Sequence, residues 1–268
     1  GSEMCIRDRE ERLFIPCNDH DIPMVISYPE DGNNFPCILM LHGYMAYKEG
    51  DGYMFTKFAK ELAANGIASA RIDFVSMGEN RYSRENYGLK VMLEETKTAF
   101  EYLQCHPRID EKCIGIMGHS LGGRITFLSA ALPSKCLISL NGAVNVKEKM
   151  GMKQPASFKT EKGDGYQIIH TSDGRAELLF DRFGEESDAY LNEDVYKYKN
   201  PILVCIGASD PTLDPEISYK FVRECGMSNV DEIVIQDANH TFNAKTKDYT
   251  KLYELIGKVI PWLNENLK

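Results

Sequence analysis

No apolar stretch in this chain approaches the about 18 residues that a membrane-spanning helix requires. The longest, near Cys37 to Leu41 and Pro201 to Ile206, stop after a handful. The opening residues, Gly1-Ser2-Glu3-Met4-Cys5-Ile6-Arg7-Asp8, are charged and lack the apolar core of a signal peptide. Residues 1–11 are therefore expected to be a tag or disordered N-terminus, and the protein is expected to be cytoplasmic without a membrane partner. Basic residues are in deficit. With 31 Lys and Arg against 40 Asp and Glu, the formal charge is −9. Phosphate backbones are held by clustered basic side chains, so no nucleic acid partner is expected.

Cysteine pairs at metal or redox spacing are also missing. None of the eight cysteines forms a C-x-x-C. Cys37, Cys113, Cys136 and Cys205 lie within apolar runs and read as small core residues, which suits a reducing compartment. There is no H-E-x-x-H and no carboxylate cluster, so neither a metal nor a cofactor is expected. Internal repeats and low-complexity tracts are absent too.

What is present is an alternation. From Cys37 onward, short β-rich apolar runs alternate with segments of helical period, which marks an α/β fold with a mostly parallel sheet covered on both faces. The expected strands are Cys37 to Leu41, Ala68 to Phe74, Cys113 to Met117, Leu137 to Asn141, Pro201 to Ile206 and Glu232 to Ile235. Arg12 to Pro16 and Met24 to Tyr28, parted by Asn18-Asp19-His20-Asp21, add an antiparallel hairpin. Helical stripes run through Phe55, Phe58, Ala59 and Leu62, through Leu89, Leu93, Thr96, Phe100 and Leu103, from Leu121 to Leu132 before Pro133, and from Leu252 to Leu263.

The length fits one large domain with an insertion. Residues 12–143 and 200–268 are expected to form the core. Residues 144–199 break the rhythm, yet hold Phe158, Tyr166, Phe180, Phe183, Tyr190, Tyr196 and Tyr198, enough for a small inserted cap over the strand ends.

Gly118-His119-Ser120-Leu121-Gly122 fits G-x-S-x-G, and it lies where a strand gives way to a helix, the context that gives the pattern meaning. The glycines let a strained turn pass closely and lift the serine hydroxyl clear of the sheet. A serine hydroxyl is protonated at neutral pH, so it needs a base within reach and a carboxylate to hold that base. In chain order Ser, acid, His, the candidates are Asp210, after the run ending at Ile206, and His240, after the run ending at Ile235. Both follow carboxyl ends of parallel strands, where open α/β sheets keep their sites. Asp214 and Asp237 are rivals that read as turn residues.

His20 sits in the hairpin turn and His106 precedes Pro107, so both read as turn or surface residues. His42 and His119 flank strand ends and read first as packed histidines shaping loops. The turn His42-Gly43-Tyr44-Met45 can aim an amide at a developing oxyanion, with Tyr44 N–H the first choice and Met45 N–H the second; Leu121 N–H, opening the helix after the serine, is the other donor. Substrate contacts are expected from His119, Tyr166, His170 and Phe183.

These motifs together resemble the α/β-hydrolase superfamily, over residues 12 to 268. The chain is most similar to the small esterases that include bacterial cinnamoyl and feruloyl esterases, whose cap is inserted at the same place. The resemblance implies the α/β-hydrolase fold with an eight-stranded, mostly parallel sheet, oxyanion amides at Tyr44 and Leu121, and an acyl-enzyme route. It also implies a small-molecule ester substrate, of hydroxycinnamoyl (feruloyl) or another small acyl type. Two departures bear on the substrate. Phe74-Val75-Ser76-Met77-Gly78-Glu79-Asn80 replaces a Gly-His-Gly-x-Ser-type loop, and Leu121 stands where a glutamine is common. The alternatives are a thioesterase, a monoacylglycerol lipase or a peptidase with the same three residues, or a non-catalytic binding homologue. Association as a homodimer is left for measurement.

Overall fold

The computed structural model describes residues 10–151, 158–171 and 174–267. The chain opens with a hairpin, β1 (Glu10–Cys17) and β2 (His20–Ser27). Its turn is only Asn18 and Asp19, because Cys17 pairs with His20, and Asn18 takes the left-handed φ of 53° that a two-residue turn demands. Glu10 and Glu11, expected within the tag, instead pair with Ser27 and Ile26.

The regular alternation follows: β3 (Phe35–Leu41), α1 (Met54–Ala64), β4 (Ala68–Ile72), α2 (Leu89–Gln104), β5 (Ile109–His119), α3 (Leu121–Leu128) and β6 (Leu137–Leu140). An insertion supplies β7 (Lys159–Lys162), β8 (Tyr166–His170), β9 (Ala176–Phe180) and α4 (Arg182–Ala189). The core then resumes with β10 (Ile202–Gly207), α5 (Glu216–Glu224), β11 (Val230–Ile235) and α6 (Thr250–Asn266).

Eight strands form one sheet in the order β1-β2-β4-β3-β5-β6-β10-β11. The strands from β4 to β11 in that order are parallel, and the hairpin joins antiparallel at β4. Side chains of one strand alternate between two cores. Cys37, Leu39 and Leu41 of β3 pack with α2 and α3, while Ile38 and Met40 pack with α1 and α6. Two covered faces explain why central strands such as β3 and β10 are apolar runs. This is the α/β-hydrolase fold.

Helix α1 ends as its sequence indicates: Gly66, at φ 77°, donates to Ala63 O, and Ile67 donates to Leu62 O. Helix α3 is shorter than its stripe. It stops at Leu128, and Ser129 to Leu132 form turns, consistent with the bias against helical geometry just before Pro133. Helix α5, not among the expected helices, buries Ser218 and Phe221 and packs the partly buried Ile217, Tyr219 and Val222 on the core.

Two histidines depart from expectation. The His20 side chain is nearly covered, stacked on Tyr82 with ring centroids 4.1 Å apart, and its Nε2 lies 2.8 Å from the buried Glu95 carboxylate. His106 packs beside Tyr28 and Glu11. The local sequence pointed to turns, but His20 opens β2 and distant segments cover both side chains.

The insertion makes a separate antiparallel sheet, β7-β8-β9. Ile169, Leu179, Phe183 and Val195 are buried against the main core. Arg84 Nε donates to Leu178 O, Arg182 to Asn86 Oδ1, and the Lys90 amide to Glu186, which tie this sheet and α4 to the loop before α2 and to the first turn of α2. Among the described residues, no helix is long and apolar enough to cross a membrane, and no three His, Cys, Asp or Glu side chains group as a metal site.

Candidate active site

Ser120 stands between β5 and α3 at φ 56°, ψ −117°, a backbone state that costs on the order of 1–3 kcal/mol for a non-glycine residue. The surroundings hold it there. Its amide donates to Leu140 O, and its carbonyl accepts from Gly123, Arg124 and Ala143. Close approach decides the neighbouring glycines. A Cβ on Gly118 would lie 2.0 Å from Gly122 O, and one on Gly122 would lie 2.0 Å from Leu41 O.

Asp210 follows β10 and His240 follows β11, and because β5, β6, β10 and β11 run parallel, both loops lie along the same sheet edge as the turn after β5. The Ser120 hydroxyl lies 2.9 Å from His240 Nε2, and His240 Nδ1 lies 2.6 Å from Asp210 Oδ2. With Nδ1–H donating to the carboxylate, Nε2 is free to accept from the hydroxyl. Asp210 is nearly inaccessible, and its Oδ1 accepts from the Thr212 and Leu213 amides, which fix the carboxylate plane. The rivals lie elsewhere. Asp214 accepts from the Glu216 amide at the start of α5, and Asp237 occupies a turn at φ 59°.

Sequence reasoning missed the support beneath His240. Asn141, just past β6 at φ 43°, donates through Nδ2 to the Asn239 and His240 carbonyls and accepts the Gly207 amide at Oδ1. One side-chain amide therefore ties the strand leading to Asp210 to the loop carrying His240. The signal was the pair Asn141-Gly142 at a strand end, since asparagine tolerates the left-handed region. His119 Nε2–H donates to the same His240 carbonyl at 2.8 Å. Burial pushes the His119 pKa down to about 4, and the neighbouring His240 adds to the effect. A neutral ring keeps its donor role.

The turn after β3 passes directly against the serine: a Cβ on Gly43 would lie 3.3 Å from Ser120 Cβ. His42 shapes it from within, donating from Nδ1 to Gly43 O and accepting the Phe74 amide at Nε2. Burial holds this imidazole neutral by lowering its pKa. The Met45 amide donates to the Tyr87 hydroxyl at 2.9 Å, so the second-choice donor is already engaged. Arg175 of the insertion donates to Met45 O. Lys48, also missed in the sequence, reaches Asp73 and Glu79 at 2.6 Å each, and its amide donates to Asp73 Oδ1. The atypical loop from Phe74 to Asn80 thus braces the turn after β3.

Two chambers meet at Ser120. One, of about 240 Å³, is bounded by Tyr44, His119, Asn239, His240, Asp51 and Lys245. The other, of about 520 Å³, is bounded by Leu121, Ala143, Met150, Phe183, Leu213 and Ile217. Tyr44 packs among Tyr87, Phe158 and Phe183 where the insertion overhangs the cleft. Of the expected substrate contacts, the structure brings Phe183 and His119 to the cleft. Tyr166 and His170 are not brought there. Tyr166 packs on Phe180, and His170 Nε2 lies 2.8 Å from Glu161 across the β7–β8 pair, because alternation along β8 turns both away from the buried Ile169.

Residues 62–268 match the profile of the prolyl oligopeptidase family. Among curated proteins, the chain is similar to a 31.7 kDa Escherichia coli protein of the traX–finO intergenic region, 27% identical over 230 residues, covering 73% of this chain and 79% of that one. Among solved structures it is similar to Est1E of Butyrivibrio proteoclasticus with bound ferulic acid, with a TM-score of 0.78, 21% identity and coverage of 95% and 98%. It is also similar to the esterase domain of a Rhodothermus marinus protein, with a TM-score of 0.71, 16% identity and coverage of 97% and 99%. At these identities the structural matches establish a common fold.

Proposed function

The chain belongs to the prolyl oligopeptidase family, and from that premise we propose that it is a serine hydrolase of carboxylic esters. Ser120 is the nucleophile, His240 the general base, Asp210 its orienting carboxylate, and the amides of Tyr44 and Leu121 the oxyanion hole. The observation that carries this reading is the pair of contacts from Ser120 Oγ to His240 Nε2 at 2.9 Å and from His240 Nδ1 to Asp210 Oδ2 at 2.6 Å.

In the first step His240 takes the Ser120 proton as Oγ attacks the ester carbonyl, and the two amides receive the developing oxyanion. His240 then gives that proton to the departing alcohol, leaving an acyl-serine. In the second step His240 activates water, which releases the acid and restores the hydroxyl. Engagement of the Met45 amide by Tyr87 supports Tyr44 as the donor from its turn.

The substrate is a small-molecule ester of a hydroxycinnamoyl or other small acyl group. Tyr44 and Phe183, packed on each other at the larger chamber, support this choice, as does the likeness in fold to a structure holding ferulic acid. We take residues 10–143 and 200–268 as the core, its start moved from 12 because Glu10 and Glu11 pair in β1, and 144–199 as the cap. The seven described cysteines are free thiols, which supports the reducing cytoplasm. Light scattering of the purified protein decides whether it forms a homodimer.

The family's name favours a second reading, in which the same residues cleave a peptide bond. Turnover of methyl ferulate and 4-nitrophenyl butyrate, set against an aminoacyl 4-nitroanilide, separates the two. The expected result is ester turnover that falls by at least on the order of 10⁴-fold in Ser120→Ala. A preference for the anilide overturns the ester assignment, and near-normal activity in Ser120→Ala overturns the nucleophile.

A further inference from the structure

Proton transfer decides which part of an ester each chamber receives. The leaving oxygen collects its proton from His240 Nε2, so the alcohol departs on the His240 side. That side is the smaller chamber, and the acyl group faces the larger one beyond Leu121.

The smaller chamber is marked by an ion pair. Asp51 Oδ1 and Lys245 Nζ lie 3.8 Å apart, with both side chains partly open to solvent. Asp51 belongs to the short turn Asp51–Tyr53 before α1, and Lys245 to the turn Ala244–Thr246 after His240. The two turns are in tight backbone contact: a Cβ on Gly52 would fall 2.3 Å from the Ala244 carbonyl carbon. Main-chain packing therefore holds the two turns side by side, with the two charged side chains in reach of each other. Asn239, Thr241 and Thr246, which hydrogen-bond within their own loop, line the chamber together with Phe158 and Pro211.

A cationic alcohol placed here would meet the Lys245 ammonium, and an anionic one the Asp51 carboxylate. A neutral alcohol with two adjacent hydroxyls suits both partners, donating to the carboxylate and accepting from the ammonium. We propose, resting on the ester-hydrolase reading, that the smaller chamber is a subsite for the alcohol half of the ester. It selects vicinal diols through Asp51 and Lys245, so that the substrates are monoesters of a polyol.

The test compares 2,3-dihydroxypropyl butyrate, propyl butyrate and butyrylcholine on the purified full chain. The wild type is expected to favour the dihydroxypropyl ester over the propyl ester by about tenfold in kcat/KM, carried by KM, and to favour it over the choline ester as well. Asp51→Asn and Lys245→Met are each expected to bring the diol-to-propyl ratio toward one. A wild-type ratio of one or less, a preference for butyrylcholine, or a ratio unmoved in both variants overturns the subsite and leaves ester hydrolysis standing. No turnover of any of the three esters, together with no fluorophosphonate adduct on Ser120, overturns the hydrolase reading beneath it.

Discussion

Replacing Asn141 with alanine removes three hydrogen bonds that differ in weight. The Gly207 amide donates to Oδ1 at 2.6 Å, and its loss strands a buried donor, at about 2 kcal/mol. The other two acceptors fare better. His240 O keeps His119 Nε2, and Asn239 O keeps the Phe242 amide, so those losses cost about 0.5–1 kcal/mol each. Alanine must also adopt φ 43°, which asparagine tolerates better, adding a fraction of the about 1–2 kcal/mol left-handed cost. The expected destabilisation is about 3.5–5 kcal/mol, read as a lowered midpoint in urea unfolding. Because the same amide seats the His240 loop, kcat is expected to fall more than KM changes. A loss under about 1 kcal/mol with kcat intact would refute this bracing role.

Gly122→Ala sets a Cβ 2.0 Å from the Leu41 carbonyl oxygen, so it is expected to cost more than about 4 kcal/mol and to leave little folded protein; a wild-type melting temperature contradicts that. Asp210→Asn keeps the shape of the side chain but loses the carboxylate that orients His240, and kcat is expected to drop on the order of 10⁴-fold with the fold retained, as circular dichroism and ester turnover together will show. His119 binds a proton only near pH 4 when folded but near 6.5 when unfolded, so between those values the unfolded chain holds more protons. Its stabilising contribution is complete above about pH 6.5 and is lost as the pH falls toward 4, by on the order of 3 kcal/mol. Urea midpoints at pH 7 and pH 4.5 check this against His119→Gln, which keeps a donor without titrating; an equal pH dependence in both proteins counts against it.

The parallel strands were legible because both their faces are covered. Burial on two sides leaves no polar alternation, and a run such as Pro201 to Ile206 has little choice but to lie within one residue of β10. The turn around Ser120 was legible because its glycines answer to backbone contacts set by the turn itself. Asp210 stood out from Asp214 only through its place just past a strand, and the structure puts it, not Asp214, against His240.

What stayed hidden depends on partners remote in sequence. His20 looked like a turn residue until Glu95, 75 positions away, closed over it. Nothing near Asn141 announces Gly207 and His240, and nothing near Arg175 announces the Met45 carbonyl. Tyr166 and His170 were chosen for chemistry within a segment whose strand register the sequence left open, and in a strand one residue of slip reverses the face. Helix α5 is only nine residues long and fully buries only Ser218 and Phe221, a short signal even though Ile217, Tyr219 and Val222 also pack on the core.

The most direct measurement of the central claim is covalent. Incubation with a fluorophosphonate followed by peptide mass spectrometry is expected to find one adduct, on Ser120, formed far more slowly once His240 is replaced by alanine. An unlabelled Ser120 in the folded wild type, or a labelling rate indifferent to His240, would contradict the account.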